Sequence, residues 1–221
     1  MAGAAGREIP QGLRRELVNF SDKKLCEILK PLNLEVLKNF EVHFIYLRSL
    51  YYICSMKQDN NKEIFPIVDE QGNVTGSATR GECHDGSKLL HPVVHLHLFD
   101  SAGRIYLQQR PLWKDIQPGK WDTAVGGHVD YGETIEEALC REVREELGIT
   151  DAEPCFLQKY VFESEREKEL VHVFRATYDG EVKPSDELDG GRFWTMDEVR
   201  ATIGKETFTP NFEQEFQRIF G

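Results

Sequence analysis

Between Gly126 and Ile149 the chain reads GGHVDYGETIEEALCREVREELGI, and this stretch constrains the fold more than any other. Thr134 with Glu137 three residues on makes a capping box and Gly148 a stop, so the spacing predicts a helix over 134–148. Ile135, Leu139, Val143 and Leu147 recur every four residues and predict a buried stripe. Glu142, Glu145 and Glu146 stand at i, i+3 and i+4, on a different face. Like charges at that spacing disfavour each other by a few tenths of a kcal/mol in an isolated helix. A hard cation between them reverses the sign, because Mg2+ takes carboxylate oxygens at about 2.1 Å and keeps sites for water and phosphate. Arg141 is placed to hold one carboxylate from the side. Taken alone, REVREEL would be a solvated helix face; the residues around it argue otherwise.

Composition narrows the classes. At 221 residues the chain fits one domain with a substantial core and a small appendage. A net charge of -11 speaks against a general nucleic-acid surface, which needs a basic field, although a divalent cation would let an acidic protein act on phosphates. No run of about 18 apolar residues exists to span a membrane. Cys26, Cys54, Cys83, Cys140 and Cys155 are odd in number and form no CxxC, so a disulfide framework is not expected and a reducing cytoplasm is the simplest location.

Residues 1–55 carry eight Lys/Arg against six Asp/Glu, leaving 19 against 32 for residues 56–221. Within them SDKKLCEILKPLNLEVLKNF reads as helical, capped by Ser21 or Asp22. Two expectations stand side by side: residues 1–55 are a helical N-terminal extension, or Met56 is the natural start. Residues 56–221 are expected to form the main domain. There, EIFPIVDEQGNVTGSATR and VVHLHLFDSAGRIYLQQR each read as two strands around a turn. LQKYVFES and LVHVFRATY make a further pair joined by the loop EREKE. RFWTMDEV is a strand entering a helix capped by Thr195 or Asp197, and PNFEQEFQRIFG is a closing helix.

Written by position, the opening stretch is Gly127, five residues, Glu133, seven residues, Arg141-Glu142, Val143, Arg144, Glu145-Glu146, Leu147, Gly148 and Ile149. It resembles the Nudix box, G-x5-E-x7-R-E-U-x-E-E-x-G-U, at every fixed position. The resemblance runs over roughly residues 63–221 and implies an α/β/α sandwich with a mixed β-sheet, the box forming a loop-helix-loop. It also implies hydrolysis of a small-molecule diphosphate with Mg2+ or Mn2+. Glu142, Glu145 and Glu146 would then be metal ligands or base, the Gly126 carbonyl a further ligand, and Glu133 and Arg141 their supports.

RPLWKDIQPGKWDTAVGGH, EREKELVHVF and FTPNF are similar to the branch that includes type I isopentenyl-diphosphate isomerase and its hydrolase-like relatives. By that resemblance His91, His128, Glu167 and Glu169 match metal-site positions, and Arg110 and Lys114 fall where the diphosphate binds. Two positions depart from the isomerase: Gly126 stands where it has its cysteine, and Asn211 where it has a tryptophan. Protonating an alkene and shielding a carbocation needs an acid-base group and an aromatic face. Hydrolysis is therefore the leading expectation and isomerisation the alternative, with Cys140 on the box helix the remaining thiol to consider.

His91, His95 and His97 share parity along a predicted strand. A metal-binding trio and pairing with backbone or carboxylates at a pocket edge both remain open for them. A homodimer is the default assembly for such a chain.

Overall fold

The computed structural model describes residues 59–114 and 116–221. The helix expected over 21–40 and the boundary expected at residue 56 lie outside the described residues.

Among the described residues there are nine strands: β1 (Ile64–Val68), β2 (Val74–Thr79), β3 (Leu90–Phe99), β4 (Ile105–Gln109), β5 (Trp121–Asp122), β6 (Val125–His128), β7 (Cys155–Glu163), β8 (Lys168–Thr177) and β9 (Gly191–Trp194). The helices are α1 (Arg80–Cys83), α2 (Ile135–Leu147), α3 (Met196–Thr202) and α4 (Pro210–Phe220). Strands β1 and β2 form a separate antiparallel hairpin. The other seven form one mixed sheet. Lys168 and Glu169 already belong to β8, so the loop expected over EREKE is shorter than the sequence implied.

β3 organises this sheet. It runs parallel to β8 from Leu90 opposite Lys168 to Phe99 opposite Thr177. On its other edge it pairs antiparallel with β6 from Val93 to Leu96, then with β4 at Leu98 and Phe99. The sheet therefore forks between β6 and β4, and the Thr123 hydroxyl bridges the fork by donating to the Leu96 carbonyl at 2.7 Å.

β3 is buried on both faces, its apolar residues interleaved with His91, His95 and His97. Its residues Val94, Leu96 and Leu98 pack against Ala138, Leu139, Val143 and Leu147 of α2. On the opposite face Phe99 joins Phe212 and Phe216 of α4 and Val199 of α3, while Val93 joins Tyr160 and Phe162. The result is the expected α/β/α sandwich. Thr134 caps α2 through the capping box and Gly148 ends it at φ 67°, a left-handed conformation that suits glycine. Thr195 caps α3, and Thr209 with Pro210 at the first helical position starts α4. Among the described residues no helix is long and apolar enough to cross a membrane.

Candidate active site

The buried stripe of α2 fixes its rotation, and with it the three box glutamates, which meet three different environments. Glu142 lies over Gly127, where a β-carbon would overlap its carboxyl group. Glu146 is buried, with Oε2 receiving the Gly126 amide at 3.4 Å and the Gln108 amide at 3.3 Å. Glu145 is half exposed and accepts from Arg141 at 3.3 Å. Arg141 is the clamp: its Nε and Nη2 hold both oxygens of Glu133 at 3.0 and 2.9 Å, and Nη1 reaches Glu142 Oε1 at 2.7 Å. Its Nη2 also donates to the His128 carbonyl at 2.9 Å, which ties the helix to β6.

Charge is costly here. Burial, opposed by Arg141, pushes the Glu142 carboxyl up to about 7. Burial and then the Glu142 charge push Glu146 well above the usual carboxylate range. The hydrogen bonds from Arg141 hold Glu133 below it. Two neighbouring carboxylates that resist ionisation are a donor set that a divalent cation would relieve.

Beside the box opens a cavity of about 450 Å³ whose walls include Gly126, Gly127, His128, Arg110, Glu167 and Glu169. His84 and His128 of this wall and the buried His91 bring one ring nitrogen each to within 4.8 Å of one another. His84 Nε2 and His128 Nε2 stand 3.1 Å apart. His91 Nδ1 lies 2.9 Å from the Leu89 carbonyl, which leaves a buried Nε2 with no partner among the described residues. Phe65 stacks on His128 at 4.3 Å and fixes its plane. Burial lowers all three imidazoles, His84 to about 3, so they are neutral. Glu167 approaches His84 Nε2 at 3.8 Å. Burial raises Glu167 and Glu169, the latter to about 8 with the Glu167 charge adding to the effect. Neutral imidazoles with an orphaned nitrogen, next to two crowded carboxylates, fit a divalent metal of intermediate hardness.

The expected phosphate-binding residues divide. Arg110 lines the cavity with its Nε and Nη2 on the Ile116 carbonyl at 3.1 and 2.9 Å, and Nη1 lies 3.5 Å from Asp122. Lys114 pairs with Asp59 at 3.2 Å and is not part of the cavity wall. Arg80 and Arg166 also line the cavity.

His95 and His97 do not join His91 in a trio. They turn to Glu215 of α4, with His95 Nδ1 3.0 Å from Oε2 and His97 Nε2 2.6 Å from Oε1. Tyr160 donates to the same carboxylate at 2.7 Å and lies 2.8 Å from Asn211 Oδ1, while Asn211 Nδ2 donates to Glu169 at 3.3 Å. His84 was missed by sequence reasoning. The signal that could have found it is the capping box Thr79-Arg80-Gly81-Glu82, which starts α1 and leaves His84 at its C-terminal cap.

A loop-helix-loop carrying clamped glutamates on an α/β/α sandwich defines a family. The model described as NUDIX domain matches residues 89–212, and the chain belongs to the Nudix family, whose members typically use a divalent metal. It is 34% identical over 146 residues to an isopentenyl-diphosphate Delta-isomerase of Mycolicibacterium vanbaalenii, across 63% of this chain and 80% of that one. It is equally 34% identical over 135 residues to an uncharacterized Nudix hydrolase of Pseudomonas aeruginosa, across 61% and 79%. Among solved structures, DR0079 from Deinococcus radiodurans superposes with a TM-score of 0.63 at 25% identity, covering 72% of this chain and all of the other.

Proposed function

We propose that this chain is a divalent-metal-dependent hydrolase that opens the diphosphate of a small molecule by attack of water. The observation that carries hydrolysis over isomerisation is a cavity wall with no thiol among the described residues. Gly126 and Asn211 line it. Among the described cysteines, Cys83 is buried away from the wall with its thiol pushed up to about 11 by burial, and Cys140 and Cys155 face outward.

Glu142 and Glu146 with the Gly126 carbonyl, and Glu145 at the rim, are one set of residues that would hold a cation. His84, His91 and His128 with Glu167 and Glu169 are a second. A divalent ion bound there supplies charge neutralisation and a more acidic water. Arg110, Arg80 and Arg166 provide fixed positive charge for the phosphate oxygens. A box carboxylate takes the proton that the attacking water gives up, and Arg141 with Glu133 keeps those carboxylates in place. The substrate is a nucleoside-diphosphate-type molecule or one related to it.

The alternative is isomerisation of isopentenyl diphosphate, favoured by the 34% identity to a protein of that name and by the imidazole cluster. Phosphate release from nucleoside, dinucleotide, sugar and isoprenoid diphosphates with Mg2+ or Mn2+ tests the proposal. Cleavage of any member supports it, and release from none refutes it.

A further inference from the structure

Glu215 is fully buried on the inner face of α4, and its two oxygens face His95, His97 and Tyr160. Burying a carboxylate and an imidazole costs several kcal/mol of hydration before their attraction is counted, and apolar side chains of similar volume often serve stability as well. Stability alone therefore does not account for the arrangement. Its geometric effect is specific: with Nδ1 of His95 engaged by Glu215, the ring is held in one orientation.

The other nitrogen, Nε2, belongs to a side chain that is 7% exposed and lines the cavity. It has no hydrogen-bond partner among the described residues. It lies on the Gly126 side, since a β-carbon at Gly126 would come to 3.8 Å from both Nε2 and Cδ2. A side chain at 126 would stand in front of that nitrogen; glycine leaves the approach open. Asn211, the neighbouring polar group on the wall, lies 2.8 Å from the Tyr160 hydroxyl through Oδ1 and gives one of its two N–H donors to Glu169. His95 Nε2 is thus a wall nitrogen held in a fixed direction and unpaired among the described residues.

We infer that His95, oriented by Glu215, determines specificity by hydrogen-bonding a hydroxyl of the group esterified to the diphosphate, so that hydroxylated substrates are selected over hydrocarbon ones. A hydroxyl both donates and accepts, so it matches Nε2 whether or not that nitrogen carries a proton. A hydrocarbon chain in the same place would leave a buried polar nitrogen unpaired, which is the costly arrangement. The inference rests on the reading of this cavity as a diphosphate site.

Binding separates the two ideas, because it is measured without turnover. Calorimetry with Ca2+ compares UDP-glucose and ADP-ribose with isopentenyl diphosphate on the full chain. Asparagine at 95 keeps a polar atom near Nδ1 for Glu215 but does not reach the position of Nε2, whereas glutamine reaches it. His95→Asn is expected to weaken at least one of the two hydroxylated ligands about tenfold, the worth of one hydrogen bond. Isopentenyl diphosphate should stay within about twofold, and His95→Gln should recover part of the loss. Equal losses for both ligand classes, no loss, or no preference for a hydroxylated ligand in the unaltered chain would overturn the inference. Should His95→Asn fail to fold, 15N shifts of the unaltered chain decide. UDP-glucose or ADP-ribose is expected to move the His95 Nε2 resonance, assigned by its absence from His95→Gln, and an unmoved resonance would overturn the inference. Phosphate release, followed separately, reports on the hydrolase reading alone.

Discussion

Gly127 and Glu142 occupy one space: the glutamate side chain lies where a β-carbon of residue 127 would be. The glycine that opens the box is therefore a seat for the Glu142 carboxylate, which is proposed to hold the metal. Gly127→Ala must push Glu142 aside or shift β6. Displacements of about 1 Å at a catalytic group cost on the order of a hundredfold in rate. We expect kcat to fall by roughly that factor, with a much smaller change in the urea midpoint. Unchanged kcat would remove Glu142 from the site.

The remaining box glutamates differ in surroundings but are proposed to serve the same donor set. Glu145→Gln and Glu146→Gln are each expected to lower turnover by at least about a hundredfold with the fold intact. Circular dichroism checks the fold and initial rates check the loss. Full activity in both variants would defeat the proposed metal site.

The imidazole cluster predicts a metal-linked stability. A ligand that binds only the folded chain at about a hundred times its Kd adds about 2.7 kcal/mol, or roughly 5–10 °C in Tm for a domain of this size. Mn2+ added to chelator-treated protein should produce such a rise, and His84→Ala should reduce it strongly. A rise of equal size in His84→Ala would place the ion elsewhere.

The pairing of His95 with Glu215 predicts a basic limb. Burial lowers the His95 pKa, but the Glu215 charge and hydrogen bond outweigh it, with Asp122 and Glu169 adding, and raise it from the ordinary 6.5 to about 9. Between those values the folded chain holds a proton that the unfolded chain has released. This contribution to stability is therefore complete below pH 6.5 and lost as pH rises through about 9. In EDTA, the unaltered chain should lose more stability over that range than His95→Asn does. Parallel curves would contradict the pairing.

What the sequence revealed was local. The cap at Thr134, the stop at Gly148 and the four-residue apolar stripe were enough to place α2, because each depends on neighbours within a turn. The hairpin turns gave β1 with β2 and β7 with β8 for the same reason. Glu142, Gly126, Arg110, Glu167 and Glu169 came from the Nudix and isomerase patterns and do gather around one cavity or its rim. Two features were not legible. His84 meets His128 across 44 residues, and the capping box at Thr79 marks the short helix that His84 ends but not its distant partner. Glu215 meets His95 across 120 residues, and within PNFEQEFQRIF it reads as one more polar residue of an amphipathic helix. Such pairings are set by how β3 and α4 pack together.

Hydrolysis is proposed for a cavity whose wall carries Gly126 where the related isomerase has its thiol. Its most direct test is phosphate release, coupled to excess pyrophosphatase and phosphatase, over a panel of diphosphates with Mg2+ or Mn2+, the isoprenoid members being followed in parallel by NMR. Metal-dependent release from at least one member is expected. Interconversion of isopentenyl and dimethylallyl diphosphate, with no phosphate released from anything on the panel, would contradict it.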